Sequence, residues 1–441
     1  MSRTNLAQPI FTHEGATAKK INPLLQLKRS VLSCLLWEDT FYESGKSVVD
    51  RIKELVPQCP PHFVAQLAIH ARKDCNLRHV PLLLVREMAR HASHRPFVSD
   101  TLAEVICRAD ELSEFLALYW KDGRCKLANQ VKAGLAKAFT KFNAYQLAKY
   151  NGDNNAVKLR DVLFLCHAKP KDEQQAAVWK QLIDGTLASP DTWEVELSAV
   201  GNNKDTWTRL ITEGKLGYFA LIRNLRNMAA AGVDRELINR TIIARERGAE
   251  QLFPYRFVAA ARIVPQFEPA LDKALLIGLE GSKPFDGLTV VLVDVSRSME
   301  RQLSAKSDLT RLDAAATLAS LIPGDRRVFS FSRELVECPP RLGMAGVDSI
   351  RKSQDHNCTY LGKAVKWVNE NLSDAARVIV VTDEQSDDPV PDPVCKNAYL
   401  INVASYQNGV GYGPWTHIDG FSETVLNYIR HSEADADELE D

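Results

Sequence analysis

Apolar side chains recur at helical spacing through the first 280 residues, in stretches that end at Pro, Gly, Asn or Asp. Helix pairs return about every forty residues, which is typical of HEAT-type repeats. We therefore expect an all-α helical-repeat domain over residues 1–280, without a strand. The helices predicted there are Pro23–Trp37, Pro61–Asp74, Pro81–His91, Asp100–Trp120, Lys126–Phe142, Leu159–Ala168, Asp172–Ile183, Leu216–Ala231 and Asp234–Arg247.

The pattern changes near residue 280, where Gly278–Gly287 combines glycine with proline and is interpreted as a linker. A valine-rich run follows at Leu288–Val293, as in a strand buried on both faces of a parallel sheet. Alternating strands and helices then predict a doubly wound α/β domain over residues 288–432, before an acidic tail at 433–441. Its further elements are strands Arg327–Phe331, Arg377–Val381 and Ala398–Ala404 and helices Leu309–Leu321, Leu361–Asn371 and Glu423–His431.

The composition is that of a soluble, multidomain globular protein, with 441 residues, 45% hydrophobic and 25% charged. No apolar run approaches the ~18 residues of a membrane helix, and the first residues lack the apolar core of a signal peptide. We expect a cytoplasmic protein that is not bound to a membrane. Nine scattered cysteines without a Cys-x-x-Cys pair argue against a disulfide framework or a structural zinc site.

Charge is divided unevenly along the chain. Residues 1–280 hold 39 Lys and Arg against 31 Asp and Glu, whereas residues 281–441 hold 16 against 25. Between Lys121 and Lys171 there are eleven basic residues and three acidic ones. A basic run is often only a solvated face, but this local excess favours a polyanionic partner, and we expect nucleic acid.

Within Lys126–Phe142, a helical wheel separates an apolar face from a basic one. The apolar face holds Leu127, Val131, Leu135, Phe139 and Phe142, and the basic face holds Lys126, Gln130, Lys137 and Lys141. The first face is expected to dock into the helical domain and the second to face outward. The candidate RNA-binding residues are Lys132, Lys137, Lys141, Lys149, Arg160, His167, Arg78, Arg223 and Arg226. For Arg223 and Arg226, a place lining the hole of a helical repeat closed into a ring and a place in buried inter-helix hydrogen bonds both remain open.

A metal-site motif follows the first predicted strand. Asp294, Ser296 and Ser298 lie in one tight loop, Thr359 precedes a helix, and Asp383 ends a later strand. Ligands bind beyond the carboxyl ends of strands in open α/β sheets, and hard oxygens suit Mg²⁺ or Mn²⁺. The alternatives are helix-capping serines or a serine hydrolase with His356 as base. The sequence contains no Gly-x-Ser-x-Gly nucleophile elbow, which argues against the hydrolase alternative.

This constellation resembles the metal-ion-dependent adhesion site of von Willebrand factor A domains, which are Rossmann-like. Such sites complete their coordination with a carboxylate from a partner, so the resemblance implies binding and no catalytic residue. Only two carboxylates approach the ion, whereas phosphoryl hydrolysis would want more acidic ligands or two metals. A metal-dependent nuclease is nevertheless kept as an alternative.

Several segments together resemble the TROVE family, which includes the Ro ribonucleoprotein autoantigen and bacterial Rsr. They are Leu77–Met88, Leu159–Pro170, Leu221–Val233, Pro254–Arg262 and Val291–Met299. The resemblance implies a ring of HEAT-like helices closed by a von Willebrand A domain. It also implies binding of noncoding Y RNA and of the 3′ ends of misfolded RNA.

In bacteria the resemblance implies RNA quality control with an exoribonuclease such as polynucleotide phosphorylase. His167 matches the histidine of the family's His-x-Lys-Pro motif, Lys149 its Lys-Tyr pair, and Arg160 a basic position. Because one ring would complete the architecture, we expect a monomer. The alternative function is a protein-interaction scaffold in which the metal site captures a protein carboxylate.

Overall fold

The computed structural model separates the chain into two compact units. The helical unit comprises Pro23–Leu32 and Ser47–Ala199, and the sheet unit comprises Met1–Asn22, Ser33–Lys46 and Val200–Asp441. Within these limits, the residues that the structure describes are 10–12, 15–18, 22–32, 45–152, 157–189, 192–246, 248–252, 254–280, 283–302, 309–404, 409–420, 425–426, 429–430 and 433. The predicted acidic tail and most of the predicted helix Glu423–His431 lie outside the described residues.

The helical unit consists of short helices, each about two to four turns long. Helix α3 packs on α4 and α5, α5 on α7, and α7 on α9. At the α5–α7 crossing, a Cβ on Gly134 would lie 2.8 Å from the carbonyl oxygen of Ser99, so only glycine permits this approach. The helices are α1 (Pro23–Leu32), α2 (Gly45–Leu55), α3 (Pro61–Lys73), α4 (His79–Arg90), α5 (Arg95–Val105), α6 (Ala109–Tyr119), α7 (Asn129–Phe139), α8 (Ala144–Tyr150), α9 (Leu159–Cys166), α10 (Glu173–Asp184) and α11 (Trp193–Val200).

The sheet unit combines a short hairpin, further helices and a six-stranded sheet. The hairpin strands are β1 (Ile10–Phe11) and β2 (Thr17–Ala18), so the expectation of no strand before residue 280 was wrong. The helices before the sheet are α12 (Lys204–Thr212), α13 (Tyr218–Arg223), α14 (Leu225–Ala230), α15 (Arg235–Ala244), α16 (Tyr255–Ile263) and α17 (Glu268–Ile277). The α/β part contains β3 (Phe285–Asp294), α18 (Arg311–Ser320), β4 (Gly324–Phe331), β5 (Leu335–Cys338), α19 (Gly343–Arg351), α20 (Leu361–Asn371), β6 (Arg377–Thr382), β7 (Asn397–Asn402) and β8 (Thr416–Asp419).

The order of the six strands is β5-β4-β3-β6-β7-β8, and every neighbouring pair is parallel except β4 with β5. The chain therefore winds outward from β3 in one direction and then outward from β6 in the other. The carboxyl ends of β3 and β6 meet where this direction reverses, the place where doubly wound sheets bind ligands. Val290 and Leu292 of β3 belong to a core cluster with α20, and Val291 and Val293 are equally buried.

The predicted fold class, a helical region followed by a doubly wound α/β domain, is confirmed, and α20 has the predicted bounds. Two predicted helices were wrong because each is interrupted. Asp100–Trp120 breaks between α5 and α6, where the Glu111 carboxylate accepts hydrogen bonds from the backbone N–H groups of Cys107 and Arg108. Leu216–Ala231 breaks at Asn224. Within the described residues, no helix combines the length and apolarity needed to cross a membrane.

Candidate functional site

The ends of β3 and β6 bring the first and third predicted metal loops together. Asp294 is fully buried, and its carboxylate accepts hydrogen bonds from the Ser296 backbone N–H at 2.8 Å and from the Thr382 hydroxyl at 2.6 Å. The Ser296 and Ser298 hydroxyl oxygens lie 3.1 Å apart. The tight turn after β3 thus gathers one carboxylate and two hydroxyls beside the strand end that leads into Asp383.

Backbone and carboxylate hydrogen bonds join the second loop to the third. The Thr359 N–H donates to the Asp387 carboxylate at 2.5 Å, and the Asp387 N–H donates to the Thr359 carbonyl at 2.8 Å. Asp388 accepts from the N–H groups of Gly362 and Lys363 and thereby caps α20. These bonds place the buried Thr359 in a fixed position relative to the loop that carries Asp383.

The electrostatics of the strand ends fit a cation. Burial and then the neighbouring Asp383 carboxylate raise the pKa of Asp294 to about 7. Two buried carboxylates that repel each other, together with three hydroxyls, form a set of hard oxygen donors. Asp294, Ser296, Ser298, Thr359 and Asp383 would hold a Mg²⁺ or Mn²⁺ ion. Among the described residues, no three His, Cys, Asp or Glu side chains gather in a way that could hold a metal, so this site depends on its hydroxyls.

The third loop contains a buried ion pair that the sequence analysis missed. Glu384 is fully buried and has a left-handed backbone conformation with φ 62°, which is unfavourable for a residue with a Cβ. Its carboxylate pairs with the His417 ring and accepts from the Gly411 N–H at 3.2 Å. Burial opposes protonation of His417, but Glu384 and Asp419 raise its pKa to about 9. The imidazolium therefore holds the loop next to Asp383.

The structure argues against the serine-hydrolase alternative. One ring nitrogen of His356 lies 2.7 Å from the Glu300 carboxylate, and the other lies 3.0 Å from the Arg351 carbonyl oxygen. Both nitrogens are therefore engaged with groups other than the serine hydroxyls. A histidine in this arrangement does not provide the base that such a mechanism needs.

The apolar face predicted for α7 is confirmed, since all five of its residues are buried. The basic face is less uniform. Lys137 is exposed and its amine lies 2.6 Å from the Asp100 carboxylate. The Lys141 amine donates to the carbonyl of Ala103 and, at 3.1 Å, to that of Ile106, and burial lowers its pKa. Lys141 thus caps the carboxyl end of α5 and its amine is occupied within the fold.

The other candidate cations of the helical unit have different surroundings. Arg78 pairs with the carboxylates of Asp110 and Glu114, in an acidic cluster that occupies its guanidinium. The Lys149 amine lies 3.9 Å from Glu194, and Lys132 is half-buried on α7. Arg160 and His167 are exposed at the two ends of α9.

Arg223 and Arg226 lie in the sheet unit, at the end of α13 and on α14. Both are exposed, so of the two possibilities left open, the buried inter-helix hydrogen bond is wrong. The buried residue at this junction is Asn224, whose amide donates to the Ala220 carbonyl of α13 at 2.9 Å and accepts from the Asn227 amide of α14 at 3.0 Å.

The segment Pro254–Arg262 has a structural role that its sequence does not reveal. Arg262 forms a two-point ion pair with the fully buried Asp313 of α18, and Arg351 lies 2.9 Å from the same carboxylate. Burial alone would raise the pKa of Asp313, but these guanidinium groups hold it below its usual range. The pair joins α16 to the α/β part within the sheet unit.

These features define a helical protein with a doubly wound α/β domain and an oxygen-rich cluster at the switch point of its sheet. The sequence matches the TROVE domain over residues 7–188 and 185–278. The chain belongs to the TROVE domain family, as the sequence motifs predicted. This is a family of RNA-binding proteins.

Two curated relatives, both called telomerase protein component 1, are similar to this chain. The mouse (Mus musculus) protein is 22% identical over 351 residues and the rat (Rattus norvegicus) protein 36% over 353, in each case across 60% of this chain. The chain spans 13% of the length of these relatives. The crystal structure of the Deinococcus radiodurans RO (RSR) protein shares the fold, with a TM-score of 0.59 and 18% identity over 92% of this chain and 98% of that one.

Proposed function

We propose that this protein binds noncoding Y RNA and the 3′ ends of misfolded or structured RNA, and that it acts in RNA quality control. In this proposal a cytoplasmic monomer presents RNA to an exoribonuclease such as polynucleotide phosphorylase. The observation that supports the proposal best is the basic surface of the helical unit. None of the eleven basic residues between Lys121 and Lys171 is buried as a whole residue, although backbone carbonyls engage the amine of Lys141.

The exposed cations suited to phosphate contacts are those away from the structural ion pairs. Lys126, Lys169 and Lys171 are exposed in the helical unit. Lys141 and Arg78 contribute to the fold through their bonds to carbonyls and carboxylates, and their replacement would confound a binding measurement. The exposed lysines are therefore the better test of an electrostatic RNA surface.

The test is a titration of a hairpin RNA with a single-stranded 3′ tail at two salt concentrations. Changing Lys126, Lys169 and Lys171 together to Glu should weaken binding by about 10²-fold or more at 0.1 M salt and flatten the salt dependence. The matched control changes exposed Lys273, Lys352 and Lys366 of the sheet unit to Glu. Equal losses in both triple variants, or binding by neither the wild type nor the variants, would contradict this surface.

We also propose a second function for the strand-end site, which is metal-dependent capture of a protein carboxylate. Five oxygen-bearing side chains at the switch point and the mutual repulsion of Asp294 and Asp383 support it. A bound Mg²⁺ or Mn²⁺ would offer a Lewis-acidic position to the incoming carboxylate. The chain's own hydroxyls would orient the ion, while Asp388 and Thr359 hold the loops around it.

Metal binding is measured directly by calorimetric titration of the full chain with Mn²⁺ and Mg²⁺. Asp294→Asn and Asp383→Asn should each abolish binding, whereas Asp348→Asn, an exposed carboxylate on α19, should not change it. A wild-type protein that binds neither ion at millimolar concentration would overturn the proposal. Degradation of RNA by purified protein with either ion would favour the nuclease alternative.

A further inference from the structure

The N-terminal hairpin, which the sequence pattern did not predict, contacts the loop that carries Asp383. Thr12 directly follows β1 and is 5% exposed, and Ser386 is fully buried. The Thr12 hydroxyl donates to the Ser386 carbonyl at 2.9 Å across 374 positions of the chain. The turn of the hairpin therefore lies against the third metal loop, three residues beyond a candidate ligand.

This contact uses the full hydrogen-bonding capacity of the Thr12 hydroxyl. Its oxygen accepts from the backbone N–H groups of Gly15 at 3.1 Å and Ala16 at 3.0 Å, while its hydrogen is directed at Ser386. A hydroxyl group offers one donor and two acceptor positions, so all three are occupied within the fold. One side chain thus closes the hairpin turn and binds the hairpin to the loop.

From Ser386 the hydrogen bonds continue to the second metal loop. The Ser386 hydroxyl lies 3.1 Å from the carbonyl oxygen of Thr359 and 2.8 Å from the Asp388 carboxylate. Thr359 is itself a candidate ligand, and the Asp387 N–H donates to the same carbonyl at 2.8 Å. A continuous path of hydrogen bonds therefore joins the hairpin to two of the three loops that supply the oxygen donors.

The third loop depends on such outside contacts for its shape. The Asp383 carboxylate and the buried Asp294 carboxylate repel each other unless a cation lies between them. Glu384, the next residue, has a left-handed backbone conformation, which persists only where the surroundings hold it. Contacts that keep the loop in this arrangement reduce the ordering cost of binding an ion. The hairpin supplies one of these contacts from a distant part of the chain.

We propose that Thr12 is a positioning residue for the strand-end metal site, and that docking of the hairpin and binding of the ion strengthen each other. The hairpin holds Ser386, and through it Thr359 and Asp383, where they gather around a cation. By thermodynamic linkage, the ion must stabilise the docked hairpin by the same factor by which the hairpin raises metal affinity. This inference rests on the proposed metal site and adds the N-terminal segment to it.

Calorimetric titration of the full chain with Mn²⁺ tests the effect of the hairpin on the site. Thr12→Val should weaken Mn²⁺ binding by about 3- to 10-fold, because the isosteric side chain can neither donate to Ser386 nor accept from the turn. Thr12→Ser keeps the hydroxyl and should restore the wild-type affinity. The matched control is Thr101→Val on α5, which removes a similarly buried hydroxyl that donates to the Phe97 carbonyl at 2.8 Å.

Hydrogen exchange followed by mass spectrometry tests the effect of the site on the hairpin. Saturating Mn²⁺ should slow exchange of the backbone amides of residues 10–18 in the wild-type protein by about 3- to 10-fold. In Asp294→Asn, the ion should leave this exchange unchanged. A purely structural role for Thr12 would lower the stability of the protein without making exchange in the hairpin depend on metal.

The exchange experiment on the wild-type protein decides the question even if Thr12→Val folds poorly. Exchange in the hairpin that does not respond to Mn²⁺, or wild-type Mn²⁺ affinity in Thr12→Val, would overturn the inference and leave the metal site intact. Equal weakening by Thr101→Val would also overturn it, because the loss would then reflect general destabilisation. A wild-type protein that binds no Mn²⁺ would overturn the proposed site and this inference with it.

Discussion

In the helical unit, the buried Glu111 carboxylate accepts a hydrogen bond at 2.9 Å from the guanidinium of Arg72, which is itself only 11% exposed on its side chain. In the sheet unit, the equally buried Asp294 carboxylate accepts from a hydroxyl and a backbone N–H and is repelled by a second carboxylate, Asp383. In the first arrangement, an arginine of the fold neutralises the carboxylate. In the second, a cation bound from solution would neutralise the carboxylates and stabilise the folded state.

The comparison separates structural carboxylates from candidate ligands within one chain. Asp313 belongs with Glu111, because two arginines neutralise it. Glu384 stands between the two classes, since its neutralising partner is His417, whose charge depends on pH. Whether a buried carboxylate stabilises the fold or is available to bind a cation therefore depends more on its partner than on its burial.

The largest effect is expected when the neutralised carboxylate loses its partner. Arg72→Met should reduce the free energy of unfolding by about 3–5 kcal/mol, because Glu111 would remain buried without its closest counter-charge. Urea denaturation measures the change. Lys53→Met is the control, since it breaks a partly exposed pair with Asp50 that is worth about 1 kcal/mol or less. Similar midpoints for both variants would remove the distinction between the two arrangements.

A pH titration sharpens the comparison at Glu384. The pKa of His417 is raised to about 9 in the folded protein, so its stabilising contribution is complete below the ordinary value near 6.5 and is lost as the pH rises through 9. The loss should approach about 3 kcal/mol between pH 6.5 and 9.5. In His417→Gln this part of the pH dependence should disappear, whereas exposed His62→Gln should retain it. A wild-type curve without this decline would contradict the ion pair.

The strand-end cluster could be predicted from sequence because parallel strands bring their carboxyl ends to one edge, which places Asp294 and Asp383 together whatever the loops do. The groups that surround the basic residues of the helices could not be predicted in this way. A helical wheel assigns Lys141 to a face but cannot show that the face meets the end of α5. The partner of Glu384 was equally hidden, since His417 lies 33 residues later on a short polar strand that the pattern did not reveal.

The smallest effect should have the opposite sign to the first. Without metal, Asp294→Asn should raise the free energy of unfolding by on the order of 1 kcal/mol at pH 7.5, because it removes the repulsion with Asp383, while the amide oxygen can still accept from the Ser296 N–H and the amide NH2 can donate to the Thr382 hydroxyl. With Mg²⁺ at a hundredfold excess over its Kd, the wild type should gain about 3 kcal/mol and the variant nothing. Urea denaturation in EDTA measures the effect of the substitution without metal, and urea denaturation in Mg²⁺ measures the stabilisation by the ion. A variant that is several kcal/mol less stable in EDTA would place Asp294 with Glu111, as a carboxylate whose charge the fold requires.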